Sequence, residues 1–116
     1  MGKKKVVRYS IKVVWGGKDT LFKIDYWIEN TSNIRSAVSR EVRKFRCRGR
    51  VRVECGTKTV WCGRDWCEVT GYLPCDTLTR ASDIKKEIRQ VIREEIKRRG
   101  YIPKEIPPEK LGCGRW

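Results

Sequence analysis

The chain has 116 residues and no histidine, a length that fits one domain with a single core and a composition that excludes Ser-His-Asp and Cys-His units and imidazole metal ligands. Lys and Arg number 28 against 14 Asp and Glu, a net +14, and self-repulsion of that size is relieved by a polyanion, nucleic acid before an anionic membrane. No stretch reaches the ~20 apolar residues that span a bilayer, and no apolar segment follows the basic start, so the expected setting is a cell interior or a virion.

Val6 to Trp15 alternates, with Val7, Tyr9, Ile11, Val13 and Trp15 on one face and Arg8, Ser10 and Lys12 on the other, the period of a half-buried strand. Gly16-Gly17-Lys18-Asp19 reads as a turn. Phe22, Ile24, Tyr26 and Ile28, alternating with Lys23, Asp25 and Trp27, complete a hairpin. Thr31-Ser32-Asn33 offers capping side chains. Ile34, Ala37, Val38, Val42 and Phe45 then recur at helical spacing, with Gly49 as the stop. Three short strands follow at 50–55, 58–62 and 66–73, turning at Gly56-Thr57 and Gly63-Arg64-Asp65, until Pro74 ends the meander.

Ser82-Asp83 predicts the cap of a second helix, striped by Ile84, Ile88, Val91, Ile92 and Ile96 and supported by Glu94–Arg98 and Glu95–Arg99 pairs. Gly100 closes it. Residues 101–116, with three prolines and two glycines, read as an extended Pro/Gly-rich tail. The order ββ-α-βββ-α predicts one α+β domain over 1–100, with an antiparallel sheet and two amphipathic helices packed on it. The two helices, each after a hairpin, hint at duplication, but recurring supersecondary structure explains them as well.

The charge is uneven. Arg43, Lys44, Arg46, Arg48, Arg50 and Arg52 fill six of the ten positions 43–52, and that run contains no acid. A heat-adapted surface intersperses its signs in ion-pair networks, whereas a clustered run is a binding footprint. Five of the six are arginine, whose fork suits phosphate. Lys3, Lys4 and Lys5 add a basic arm.

A two-residue loop at Gly56-Thr57 would set Val53 opposite Val60 and Arg52 opposite Trp61, and the next turn would set Cys62 opposite Cys67. One face then carries Val51, Val53, Cys55, Val60, Cys62, Cys67, Val69 and Leu73 as a core layer. The other carries Arg50, Arg52, Thr59, Trp61, Trp66, Thr70 and Tyr72, a mixture suited to stacking and phosphate contact. The competing placement buries the tryptophans beneath a helix or the tail. The ββ-α-βββ order with Gly56-Thr57-Lys58-Thr59-Val60 resembles the small archaeal chromatin proteins. That resemblance implies a triple-stranded sheet laid on DNA, although the second helix and the cysteines depart from the pattern.

The six cysteines are Cys47, Cys55, Cys62, Cys67, Cys75 and Cys113. A cross-strand Cys62–Cys67 disulfide is expected, with Cys113 pairing to Cys47, Cys75 or another chain, while buried free thiols remain an alternative. No C-x₂-C occurs, so no cofactor is expected; a structural zinc on Cys55, Cys62, Cys67 and Cys75 is the lesser alternative. Only three Asn and Gln and one Met occur. With the cysteines, this composition points to a hyperthermophilic archaeon or its virus.

There is no Walker A loop and no G-x-G-x-x-G. Asp19, Asp25, Glu29, Asp65 and Glu68 read as ion-pair partners before the convergent carboxylates of a nuclease. The sequence therefore predicts a non-enzymatic module binding duplex DNA without sequence preference. Contacts are expected from Arg43, Lys44, Arg46, Arg48, Arg50, Arg52, the lysine arm, Trp61, Trp66 and Tyr72. RNA binding and a viral structural or nucleoprotein subunit are the alternatives, the latter with Cys113 and Trp116 at homo-oligomer contacts.

Overall fold

The computed structural model describes residues 5–16, 20–29, 32–57 and 64–111. Strand β1 (Val6–Trp15) pairs antiparallel with β2 (Leu21–Ile28), from Tyr9 opposite Ile28 to Val13 opposite Ile24. Helix α1 (Ser32–Val42) follows, then a miniature ribbon of β3 (Arg46–Cys47) and β4 (Gly49–Arg50). Strands β5 (Arg52–Thr57) and β6 (Asp65–Tyr72), helix α2 (Ala81–Arg98) and β7 (Ile102–Glu105) complete the fold with a 3-10 turn at Pro108–Lys110. The five-stranded sheet has the order β5-β6-β2-β1-β7.

The expected α+β class holds, but the sheet is mixed rather than purely antiparallel, because β7 runs parallel to β1. The prolines of 101–116 suggested an unpaired tail. An edge strand tolerates proline, since only one of its sides needs donors, and Pro103 sits there opposite Val7. The Ile106 amide donates to Tyr9 O at 2.8 Å, and Leu111 is buried.

A second difference concerns the meander. β5 pairs directly with β6, Val53 opposite Val69 and Cys55 opposite Cys67, so the two are sheet neighbours rather than the outer strands of a meander. Residues 58–63 lie outside the described residues. The face assignment survives because a period of two fixes the face whichever strand is the partner: Val53, Cys67 and Val69 are buried on the core side.

Both helices cover that side. Ile34, Val38 and Val42 of α1, and Ile84, Ile88, Ile92 and Ile96 of α2, pack on Val7, Tyr9, Ile11, Phe22, Ile24 and Tyr26. Each fully buried isoleucine contributes about 1.5–3 kcal/mol. The first helix ends at Val42, sooner than Gly49, and Lys44 and Phe45 continue in turn bonds to Glu41 O and Val42 O. Arg43 onward therefore belongs to a turn and ribbon. Helix α2 begins at Ala81 with Arg80 as its cap residue and no side-chain capping bond, so Ser82 and Asp83 lie inside its first turn. Of the anticipated pairs, Glu95–Arg99 forms at 2.8 Å, while Glu94 accepts from Gln90.

Among the described residues two disulfides form, Cys47–Cys75 and Cys55–Cys67. Cys67 is thus bonded to the residue facing it on β5 rather than to Cys62, and Cys47 and Cys75 take each other rather than Cys113. Cys62 and Cys113 lie outside the described residues. The disulfides also occupy Cys55, Cys67 and Cys75, three of the four sulfurs considered for zinc. No described helix is long and apolar enough to cross a membrane.

Two stability outcomes follow. Cys47→Ser with Cys75→Ser opens a loop of 28-residue separation and should lower the unfolding free energy by about 3–4 kcal/mol on chain entropy, read from denaturant midpoints. At Gly71 an added Cβ would stand 2.9 Å from the Phe22 ring in the core; Gly71→Ala should cost about 1–3 kcal/mol through overpacking.

Candidate nucleic-acid interface

The arginine run falls on the β3–β4 ribbon and its flanks. Gly49 has φ +91°, a left-handed conformation glycine adopts freely, and it lets the chain reverse around Arg48. Arg46 and Arg50 are then directly opposite across the ribbon. Like charges at facing positions repel, yet the ribbon is fixed from several sides. Cys47 is disulfide-bonded to Cys75, the Asp76 amide donates to Arg46 O at 2.8 Å, and the Arg48 amide donates to Tyr72 O at 3.1 Å. Arg46, Arg48 and Arg50 are exposed. Among the described residues, no carboxylate lies within ion-pairing distance of these three.

Their neighbours are engaged to different degrees. Arg43 donates to Val53 O on the edge strand at 3.1 Å, and the Arg48 guanidinium reaches Leu73 O at 3.4 Å. Lys44 pairs with Glu41 at 3.1 Å and Arg52 with Glu54 at 3.7 Å. Both pairs are solvent-exposed and weak. The cations of α2 differ: Arg89 binds Glu105 through two bonds at 2.8 and 3.3 Å, and Arg98 and Arg99 both reach Glu95. The two basic regions thus differ: part of the charge at α2 is paired with acids, while the ribbon carries its charge outward.

Beside the ribbon, α1 and β5 enclose an open groove of about 540 Å³ lined by Arg35, Ser36, Ser39, Arg40, Arg43, Lys44 and Cys55. Arg35 is held by Asp65 at 3.1 Å. Ser39 forms the groove floor, hydrogen-bonded to the Tyr26 hydroxyl and 3.6 Å from Cys55 Sγ. Burial pushes the Tyr26 phenol up to about 12, against the opposing effects of the Ser39 bond and of Arg43 and Arg35 nearby.

The sheet face opposite the helices divides in two. At one end Trp27 and Trp66 are buried with Leu111, and Ile106 packs against them. The Arg64 guanidinium lies 4.9 Å from the Trp27 ring centre and donates to Leu111 O at 3.4 Å. Trp66, 2 % exposed, is therefore withdrawn as a contact residue; the segment after β7 covers it. Tyr72, at the other end, is exposed as expected. Lys5 is exposed, while Lys3, Lys4 and Trp61 lie outside the described residues.

Trp15 is the residue the sequence misplaced. A register irregularity between Val13 and Trp15 sets Val13 opposite Ile24 but Trp15 opposite Lys23, which turns Trp15 onto the face away from the helices. Strict alternation had put it in the core. Its place directly before Gly16 was the available signal, since a glycine in a strand pattern points to a bulge.

For Tyr26 the sign is definite. Its folded pKa stands above the ordinary 10, so the unfolded chain loses this proton first and stability falls as pH rises from about 10 towards 12. Absorbance titration near 295 nm should show a late tyrosinate component that Tyr26→Phe removes, with a flatter alkaline loss of stability. Comparison with known protein families, characterised proteins and solved structures finds no match to this chain.

Proposed function

We propose that this protein binds nucleic acid without sequence preference, gripping backbone phosphates, with duplex DNA as its leading ligand. The observation carrying the reading is the β3–β4 ribbon, where Arg46 and Arg50 face one another with no described carboxylate between them. A phosphate shared by two guanidinium groups would convert that repulsion into charge-assisted bonds. Arg48 and Arg52 would extend the track along the sheet, and Arg40, Arg43 and Lys44 would extend it into the α1 groove. The protein is read as a binding module that works without a cofactor, from a heat-adapted archaeon or one of its viruses. RNA, as in a ribosome-associated protein, is the competing ligand, because phosphates are common to both.

The test is a mobility shift on duplex DNA and structured RNA across a salt series. Affinity should fall steeply with salt, and Arg46→Gln with Arg50→Gln should reduce the log–log slope by about 0.9, the value for the one shared phosphate. The same double variant should not lower the denaturation midpoint, since it removes a repulsion. Affinity that stays flat between low and high salt would sink the proposal.

A further inference from the structure

We propose that Trp15 and Tyr72 form a stacking platform for unpaired bases, so that beside duplex DNA the protein also holds a nucleic-acid strand with its bases free. This rests on the phosphate-binding reading above and adds to it single strands and single-stranded ends of a duplex.

The register carries the placement. Trp15 on β1 is opposite Lys23 on β2, Lys23 is opposite Thr70 on β6, and Thr70 is opposite Arg52 on β5. These four share one row on the face away from the helices. Tyr72 lies two residues beyond Thr70 on the same face, opposite Leu21. Trp15 is 63 % exposed and Tyr72 56 % exposed. Strand spacing and rise put their Cα atoms about 12 Å apart, and Lys23 and Thr70 occupy the space between. Lys23 leans towards Glu68 at 3.7 Å, a pair open enough to water to yield to a phosphate.

Composition and rigidity favour this occupant. An apolar protein partner would select a continuous hydrophobic patch, whereas here Lys23 and Thr70 stand between the two rings and Arg52 ends the row. Tyr72 is also bound to the ribbon itself, its carbonyl accepting the Arg48 amide at 3.1 Å. A base on Tyr72 therefore places its flanking phosphate beside Arg48 and Arg50. Inside a duplex, base faces are covered by their neighbours, so a ring platform gains contact only where bases are unstacked.

The test measures fluorescence anisotropy with three probes: a thymine single strand of about twelve nucleotides, within the usual site size, an abasic strand of the same length, and a blunt duplex. Trp15→Ala and Tyr72→Ala should each weaken the thymine strand by about 5- to 100-fold, leave the abasic strand within about twofold, and leave the salt slope unchanged. Trp15→Phe should retain most of the affinity. Equal losses on the thymine and abasic strands, or no loss on either, would overturn the platform. If Arg46→Gln with Arg50→Gln weakens all three probes while the aromatic variants change none, only the platform fails. If that double variant changes no probe, the phosphate reading fails with it. Both aromatic side chains are exposed, so thermal melts of the variants should match the parent and exclude misfolding as the cause of any loss.

Discussion

Ile84, Ile88, Ile92 and Ile96 of α2 lie fully buried against Val7, Tyr9, Ile11 and their neighbours on β1 and β2, and α1 closes the same layer with Ile34, Val38 and Val42. This apolar contact is the constraint on which the remaining architecture depends. With both helices on one face, the other must be covered by something else or face water. The chain does both: the segment after β7 shields Trp27 and Trp66, while Trp15, Tyr72 and Arg52 stay exposed.

The same constraint distributes the charge. Arg89 of α2 and Arg99 at its C-cap sit beside acids that the fold brings near, Glu105 from β7 and Glu95. In the run from Arg43 to Arg52, Lys44 and Arg52 have exposed acid partners, while Arg46, Arg48 and Arg50 have none among the described residues. These three are drawn into a ribbon tied to the end of β6 by Cys47–Cys75 and the Arg48–Tyr72 backbone bond. Covalent and backbone bonds maintain an arrangement that side-chain electrostatics oppose. Such an arrangement makes physical sense where a polyanion supplies the missing counter-charge.

Rigidity links the ribbon to the aromatic end of the sheet. Cys55–Cys67 staples β5 to β6 at facing positions. The Arg43 guanidinium satisfies a carbonyl on the edge strand β5, and Arg52 stands on that strand with its side chain in water. The arginine ribbon and the exposed aromatic rings are thereby held in fixed relation. The proposed sequence-independent binding would draw on that rigidity, because a nucleic acid read this way offers only a regular backbone and the flat faces of its bases.

Local pattern determined much of this from the sequence. Alternation in β1, β2 and β6 placed Val7, Tyr9, Phe22, Ile24, Cys67 and Val69 in the core, since a strand's faces follow from its period alone. The acid-free run 43–52 was equally plain, and so was the isoleucine stripe of α2. Tertiary structure alone decided the partners. It paired Cys67 with Cys55, because strand neighbours are chosen by long-range packing that periodicity does not encode. It turned 102–105 into an edge strand, where one open side makes Pro103 harmless. It buried Trp66 and, through one irregularity in β1, brought Trp15 to the surface. Which aromatic rings meet solvent depends on what the rest of the chain covers, and that coverage is a property of the assembled fold.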